Sequence, residues 1–159
     1  MKITIACVGK LKEKYLTAAL DEYMKRLQPL CKLEILSISE EKMPQEPSEA
    51  ERKQILEKET QRLLDIVPEH SYVILLDLMG KQITSPELAE KMDALALQGI
   101  SHITFVIGGA FGYAESLRDK ADFRWSFSKL TFTHQMIRVL LAEQIYRAFK
   151  ISRGEKYHW

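Results

Sequence analysis

The chain has 159 residues, of which 46% are hydrophobic and 28% charged, with a formal net charge of +1. That length suits a single domain, residues 1–159, able to bury about 70% of its unfolded surface. No apolar run approaches the roughly 18 residues that cross a bilayer, which excludes a helical membrane protein, and the balanced charge by itself neither favours nor excludes a nucleic-acid partner.

The N-terminus, MKITIACVGK, reads as a first strand over Ile3 to Val8 followed by Gly9. Its apolar run is short and no small-residue cleavage site follows, so it is not a signal peptide. Leu16, Leu20, Tyr23, Met24 and Leu27 recur at helical spacing and predict a helix that stops at Pro29. Leu33 to Ile38 is a second strand. Pro44 and Pro47 mark a loop, and Ser48 with Glu51 three residues later is a capping-box pattern. The helix that follows turns Ile55, Leu56, Leu63 and Leu64 inward.

Tyr72 to Leu76 is continuously apolar and predicts a strand buried on both faces. It ends at Leu76-Asp77-Leu78, with Gly80 turning the chain. Ser85 is expected to cap the next helix, with Pro86 at its first position and Gly99 closing it. Two further strands, Ile103 to Ile107 and Phe123 to Phe127, flank a short helix near Ala114 to Lys120. A last helix, about Thr133 to Ser152, is expected to bury Met136, Val139, Leu140 and Phe149. The tail is Glu155-Lys156-Tyr157-His158-Trp159. Cys7 and Cys31 sit alone without CxxC spacing, as small core hydrophobes of a protein in a reducing cytoplasm.

Strands alternating with helices predict an α/β fold, a mostly parallel sheet with helices on both faces. Ligands of such sheets bind beyond the C-terminal strand ends. Leu76, Gly108 and Phe127 each lie at or near such an end. The loop Gly108-Gly109-Ala110-Phe111-Gly112 is neither a dinucleotide fingerprint nor a P-loop, but its glycines allow close backbone approach. The loop Phe127 to Phe132 offers hydroxyls on Ser128 and Thr131 and apolar walls from Phe127, Leu130 and Phe132. That mixture suits a ring with polar edges, such as adenine, better than a pyrophosphate.

Charge is unevenly spread. Glu40 to Glu69 holds nine acidic and five basic residues, a net of −4, whereas Lys129 to Trp159 holds six basic and two acidic, a net of +4. The C-terminal fifth is therefore a candidate surface for a polyanion, or simply a set of solvated helix faces. No metal-ligand cluster is visible in the sequence.

Gly108-Gly109 after an apolar strand, the Ser-x-x-Thr loop, His134, the run RVLLAEQIYRA and the Tyr157-His158 ending together resemble the RNA methyltransferases of the SPOUT superfamily. The resemblance covers essentially the whole chain. It is similar to the small single-domain bacterial enzymes that methylate N3 of a pseudouridine in 23S rRNA.

That resemblance implies a deep C-terminal trefoil knot, a departure from the rule that chains do not thread loops. It implies S-adenosylmethionine held by Leu76, Gly108, Phe127, Ser128, Lys129, Leu130, Thr131 and Phe132, with adenine met largely by backbone groups. It also implies a cytoplasmic homodimer without a metal, whose tail reaches the partner's cofactor, acting on the helix 69 loop of the assembled 70S ribosome. On that basis His158 is the first candidate base for the N3 proton, with Tyr157 and Arg153 positioning it and offsetting the developing anion, and His134 the alternative base. Arg138, Arg147 and Lys150 are candidate RNA phosphate contacts. The family tail usually carries a basic residue after Tyr-His, where this chain has Trp159. A non-catalytic RNA- or nucleotide-binding α/β module would also explain the basic C-terminus, though not three converging strand ends.

Overall fold

Period-two alternation of apolar side chains decides the architecture. In the computed structural model, which describes residues 1–157, the elements run β1 (Lys2–Val8), α1 (Lys14–Leu27), β2 (Lys32–Ile38), α2 (Glu49–Ile66), β3 (Tyr72–Gln82), α3 (Ser85–Leu97), β4 (His102–Ile107), α4 (Glu115–Lys120), β5 (Phe123–Ser126) and α5 (Met136–Ser152). Among the described residues the strands form one parallel sheet in the order β2-β1-β4-β3-β5.

Ile3, Ile5 and Cys7 of β1, Ile103, Phe105 and Ile107 of β4, and Ile74 of β3 pack on one face against Leu27 of α1, Leu88 of α3 and Leu141 of α5. Ala6, Val8, Val73, Leu75 and Val106 point the other way, onto Leu63 of α2 and Leu117 of α4. A strand whose alternate residues both meet helices must be largely apolar, which is why β1, β4 and the first part of β3 read as near-continuous runs, interrupted in β1 and β4 by the buried Thr4 and Thr104. Each such side chain, once fully buried, contributes about 1.5–3 kcal/mol.

The α/β expectation stands, with several local corrections. β3 does not stop at Leu76 but continues to Gln82, with a register shift against β5 between Leu76 and Lys81. Gly80 does not turn the chain. It lies inside the strand, where an added Cβ would sit 2.6 Å from the backbone carbon and oxygen of Arg124. The α2 capping box at Ser48 and Glu51 is formed as expected.

The cap of α3 is Thr84, not Ser85: the Glu87 N–H donates to Thr84 Oγ1 and the Thr84 N–H donates to Glu87 Oε2. Ser85 instead donates to Gln144 Oε1 at 2.7 Å, tying α3 to α5. Thr84→Ala should therefore cost about 1 kcal/mol in urea unfolding while Thr84→Asn retains most of that. Equal losses for the two variants would remove the cap assignment.

Helix α5 lies between α1 and α3 and contacts both. That position rotates its buried stripe to Arg138, Val139, Leu141, Ala142, Ile145 and Ala148. Met136, Leu140 and Phe149, expected inside, are only half-buried. Cys7 is buried and Cys31 half-buried, and neither is in a disulfide. Burial pushes both thiols up, that of Cys31 to about 11, so neither is a ready nucleophile.

Candidate active site

Strand order builds the site. β5 is the edge strand beyond β3, yet the start of α5 reaches the end of β1, where Arg138 meets the carbonyls of Val8 and Gly9. Residues 127–135 must therefore cross the C-terminal ends of β3 and β4. Under that crossing lies a cleft of about 900 Å³, within the range of small-molecule sites.

Leu76, Gly108, Phe127, Ser128, Leu130, Thr131 and Phe132 line it, so the ends of β4 and β5 converge on one space with Leu76, which is not a strand end but the point where the register of β3 shifts. Lys129 does not line it; its side chain is exposed. The 127–132 loop is held by its own serines: Ser126 Oγ donates to the Ser128 carbonyl at 3.0 Å, and the Leu130 N–H donates to Ser128 Oγ at 3.0 Å. Ser128 thus spends its hydroxyl shaping the loop. Tyr15, Leu78, Met79, Leu130 and Phe132 are exposed large apolar side chains and all belong to the cleft. Trp125 also lines it, and its indole N–H is buried without a partner. An apolar-walled space with one orphaned donor and a polar backbone loop fits a nucleoside-like ligand.

The glycine loop has a different cause from the one its sequence suggested. A Cβ on Gly109 would lie 2.3 Å from Glu59 Oε2, and one on Gly108 would lie 2.6 Å from the Tyr113 ring. The close approaches come from the chain itself, from α2 and from the loop's own end, while Gly112 takes a φ of +86° to close the turn. Glu59 is buried, which raises its carboxyl above the usual range despite an N–H from Glu41. Next to it Thr60 Oγ1 accepts from the Ala114 N–H at 2.8 Å, so α2 supports both ends of this loop.

Asp77, Tyr113, Arg118 and Arg124 form a network at the cleft edge that sequence reasoning missed. Asp77 is 4% exposed; its Oδ2 accepts from Arg124 Nε at 2.6 Å and its Oδ1 from the Met79 N–H at 3.0 Å. Burial alone would raise the Asp77 carboxyl, but hydrogen bonds from Tyr113, Met79 and Arg124 hold it below the usual carboxylate range. Burial and that same acid push the Tyr113 phenol up. An aspartate closing a continuously apolar run was the available signal. Its two arginines look like surface residues in the sequence.

His134 lines the cleft at the start of the α5 turn. Its Nε2 is 3.5 Å from Glu40 Oε1, too long for a well-formed hydrogen bond. Burial first, and the Arg138 charge second, lower its pKa, so the imidazole is neutral near pH 7 and able to accept a proton.

Tyr157 and Arg153 are elsewhere. Neither lines the cleft: α5 begins there and its 17 residues span about 25 Å, so Arg153 lies past the helix's far end, and the chain then folds back along the helix. There Tyr157 packs edge-on against Tyr146, with centroids 4.9 Å apart, and its hydroxyl donates to Glu143 Oε1 at 3.3 Å. Burial, and then a hydrogen bond with Tyr23, push its phenol up to about 12. It is a proton donor and not a base. His158, the first candidate base, lies outside the described residues.

The three expected phosphate contacts fare differently. Arg138 is 2% exposed and donates to the carbonyls of Val8, Gly9 and His134. It is a structural cap on β1 and cannot reach a phosphate. Arg147 pairs with Glu143 at 2.6 Å and lies over the Tyr157 ring, while Lys150 pairs with Glu155. Among the described residues no helix is long and apolar enough to cross a membrane, and no cluster of three His, Cys, Asp or Glu could hold a metal.

Residues 1–158 match the family model described as "Predicted SPOUT methyltransferase". The chain is 52% identical to the ribosomal RNA large subunit methyltransferase H of Clostridium novyi, over 99% of each chain. It is 50% identical, over the same shares, to the protein of that name from Halothermothrix orenii. The solved tRNA (m1G37) methyltransferase of Aquifex aeolicus superposes with a TM-score of 0.52 over 92% of this chain and 70% of that one, at 10% identity, a likeness of fold alone.

Proposed function

This chain belongs to the SPOUT methyltransferase family, and from that premise we propose that it transfers the methyl group of S-adenosylmethionine to N3 of a pseudouridine in large-subunit ribosomal RNA. The finer target is the helix 69 loop of the assembled ribosome, which makes the protein a cytoplasmic enzyme. The carrying observation is the cleft where Leu76, Gly108 and the 127–132 loop meet, in a chain half identical to rRNA methyltransferases along its whole length.

When bound, S-adenosylmethionine supplies a methyl group activated by its sulfonium centre, open to in-line displacement by a nitrogen. The chain's own residues do the rest. Backbone groups of the 127–132 loop and Gly108 hold the adenosine edge, and Phe127, Leu130 and Phe132 wall its ring. Fixing nitrogen, methyl carbon and sulfur in line is the main source of acceleration. His158 takes the N3 proton, and Tyr157 and Arg153 orient the base and offset the imide anion. His134, neutral and already at the cleft, is the alternative base.

Because Arg153 follows the end of α5 and Tyr157 is folded back against Glu143 and Tyr146 on the flank of that helix, neither lines its own chain's cleft, and a tail that serves catalysis is expected to serve the cleft of a second copy. That supports a homodimer of single-domain subunits, residues 1–159, with α5 at the interface. We also propose the C-terminal trefoil knot, since the crossing of residues 127–135 from the sheet edge to β1 is the path such threading requires.

Calorimetry tests the cofactor: S-adenosylhomocysteine should bind, and absence of binding removes the methyltransferase mechanism. Methyl transfer should occur with intact 70S ribosomes and not with free 23S rRNA or separated subunits. Equal transfer to naked RNA would remove the assembled-ribosome target.

A further inference from the structure

Arg118 stands apart in the cleft. It is the single Lys or Arg lining it among the described residues, and Glu13, Asp77 and His134 supply no permanent positive charge. Its side chain is 45% exposed, with Nε 3.8 Å from Asp77 Oδ2 and the guanidinium over the Tyr113 ring at 5.5 Å.

Asp77 does not need this arginine. Its oxygens are already satisfied by Arg124, Met79 and Tyr113. With Arg124 at 2.6 Å already matched to the Asp77 charge, the more distant Arg118 is the cationic group of the cleft wall. A guanidinium has five N–H donors in a planar fork, and contacts with Asp77 and Tyr113 use at most two of them. The guanidinium carbon lies 5.5 Å from the Tyr113 ring centre, a contact that helps to hold the fork at the cleft wall. Such a group is prepared for a carboxylate, bound through two parallel hydrogen bonds.

We propose that Arg118 receives the α-carboxylate of the methyl donor's amino-acid portion, an inference that rests on the methyl-donor reading above. The shared chemistry is an anionic oxygen pair. An RNA phosphate would present the same pair, but Arg118 sits on the wall beside Gly112 and Tyr113 within the cleft, where the small ligand lies.

Calorimetry with two ligands tests it. S-adenosylhomocysteine carries the carboxylate; 5′-methylthioadenosine has the same adenosine and a thioether but no amino acid. Arg118→Ala should weaken S-adenosylhomocysteine about tenfold or more, the loss of a charge-assisted pair, and leave 5′-methylthioadenosine unchanged. Arg118→Gln, which removes the guanidinium but keeps a polar side chain, should show the same selective loss, and Arg118→Lys an intermediate one. Asp77 retains Arg124 in all three, so melting temperatures should stay close to the parent's. Equal weakening of both ligands, or of neither, overturns the proposal. So does unchanged binding of both with a raised KM for ribosomes, which would assign Arg118 to a phosphate. If the parent protein binds neither ligand, it is the methyl-donor reading itself that fails.

Discussion

His158→Ala is expected to lower methyl transfer about 10²- to 10⁴-fold while leaving S-adenosylhomocysteine affinity nearly intact. The expectation joins a chemical requirement to a geometric one. N3 of pseudouridine must lose a proton, and the residue next to Tyr157 is the first candidate to take it. Tyr157 is held on the flank of α5 by Tyr146, Glu143 and Arg147 and does not line its own cleft. The defect should therefore be repairable in trans. Gly108→Val, whose side chain would collide with Tyr113, should disable the cleft while leaving the tail sound. Each variant alone should be inactive. After subunit exchange, each mixed dimer holds one intact cleft facing one intact tail, which restores about a quarter of parental activity. Exchange verified by mass with no recovery would mean that the tail acts on its own chain's cleft.

Arg138→Leu should be the most destabilising single change proposed for the folded chain, at about 3–5 kcal/mol. It strips the carbonyls of Val8, Gly9 and His134 of a charged, buried donor and leaves them without a replacement. A melting temperature lower by about 10 °C is the expected reading. The same bonds anchor the end of the 127–135 crossing to β1, so S-adenosylhomocysteine affinity should fall as well. A surface role in RNA binding predicts the opposite pattern: unchanged melting and a weaker, salt-dependent interaction with ribosomes. The two outcomes are cleanly separable.

Much of the fold was legible because its rules are local. Near-continuous apolar runs in β1, β3 and β4 require helices on both faces, and Ser48 with Glu51 announced the start of α2. The ends of β4 before Gly108 and of β5 before Phe127 were legible for the same reason, since glycines and small polar residues interrupt buried runs where a chain leaves a sheet. The Thr84 cap was missed because Thr84 and Ser85 are chemically equivalent candidates. The continuation of β3 past Gly80 was missed because only the backbone of Arg124, 44 residues later, explains that glycine.

The sequence by itself determined the strands, their covering helices and the loops that leave them, since each depends on residues within a few positions of one another, but not the strand order, which pairs β1 with the distant β4. The tertiary structure alone decided what the charged residues do. Arg138, Arg147 and Arg118 are indistinguishable as letters. One is buried against the end of β1, one is paired on the flank of its own helix, and one is left facing the ligand space. Burial and the distance to the nearest carboxylate set those fates. For Arg138 and Arg118 both follow from partners far away in sequence, Arg138 through the crossing of residues 127–135 to β1 and Arg118 through Asp77 of β3, whereas the pair of Arg147 with Glu143 is a local contact along one helix.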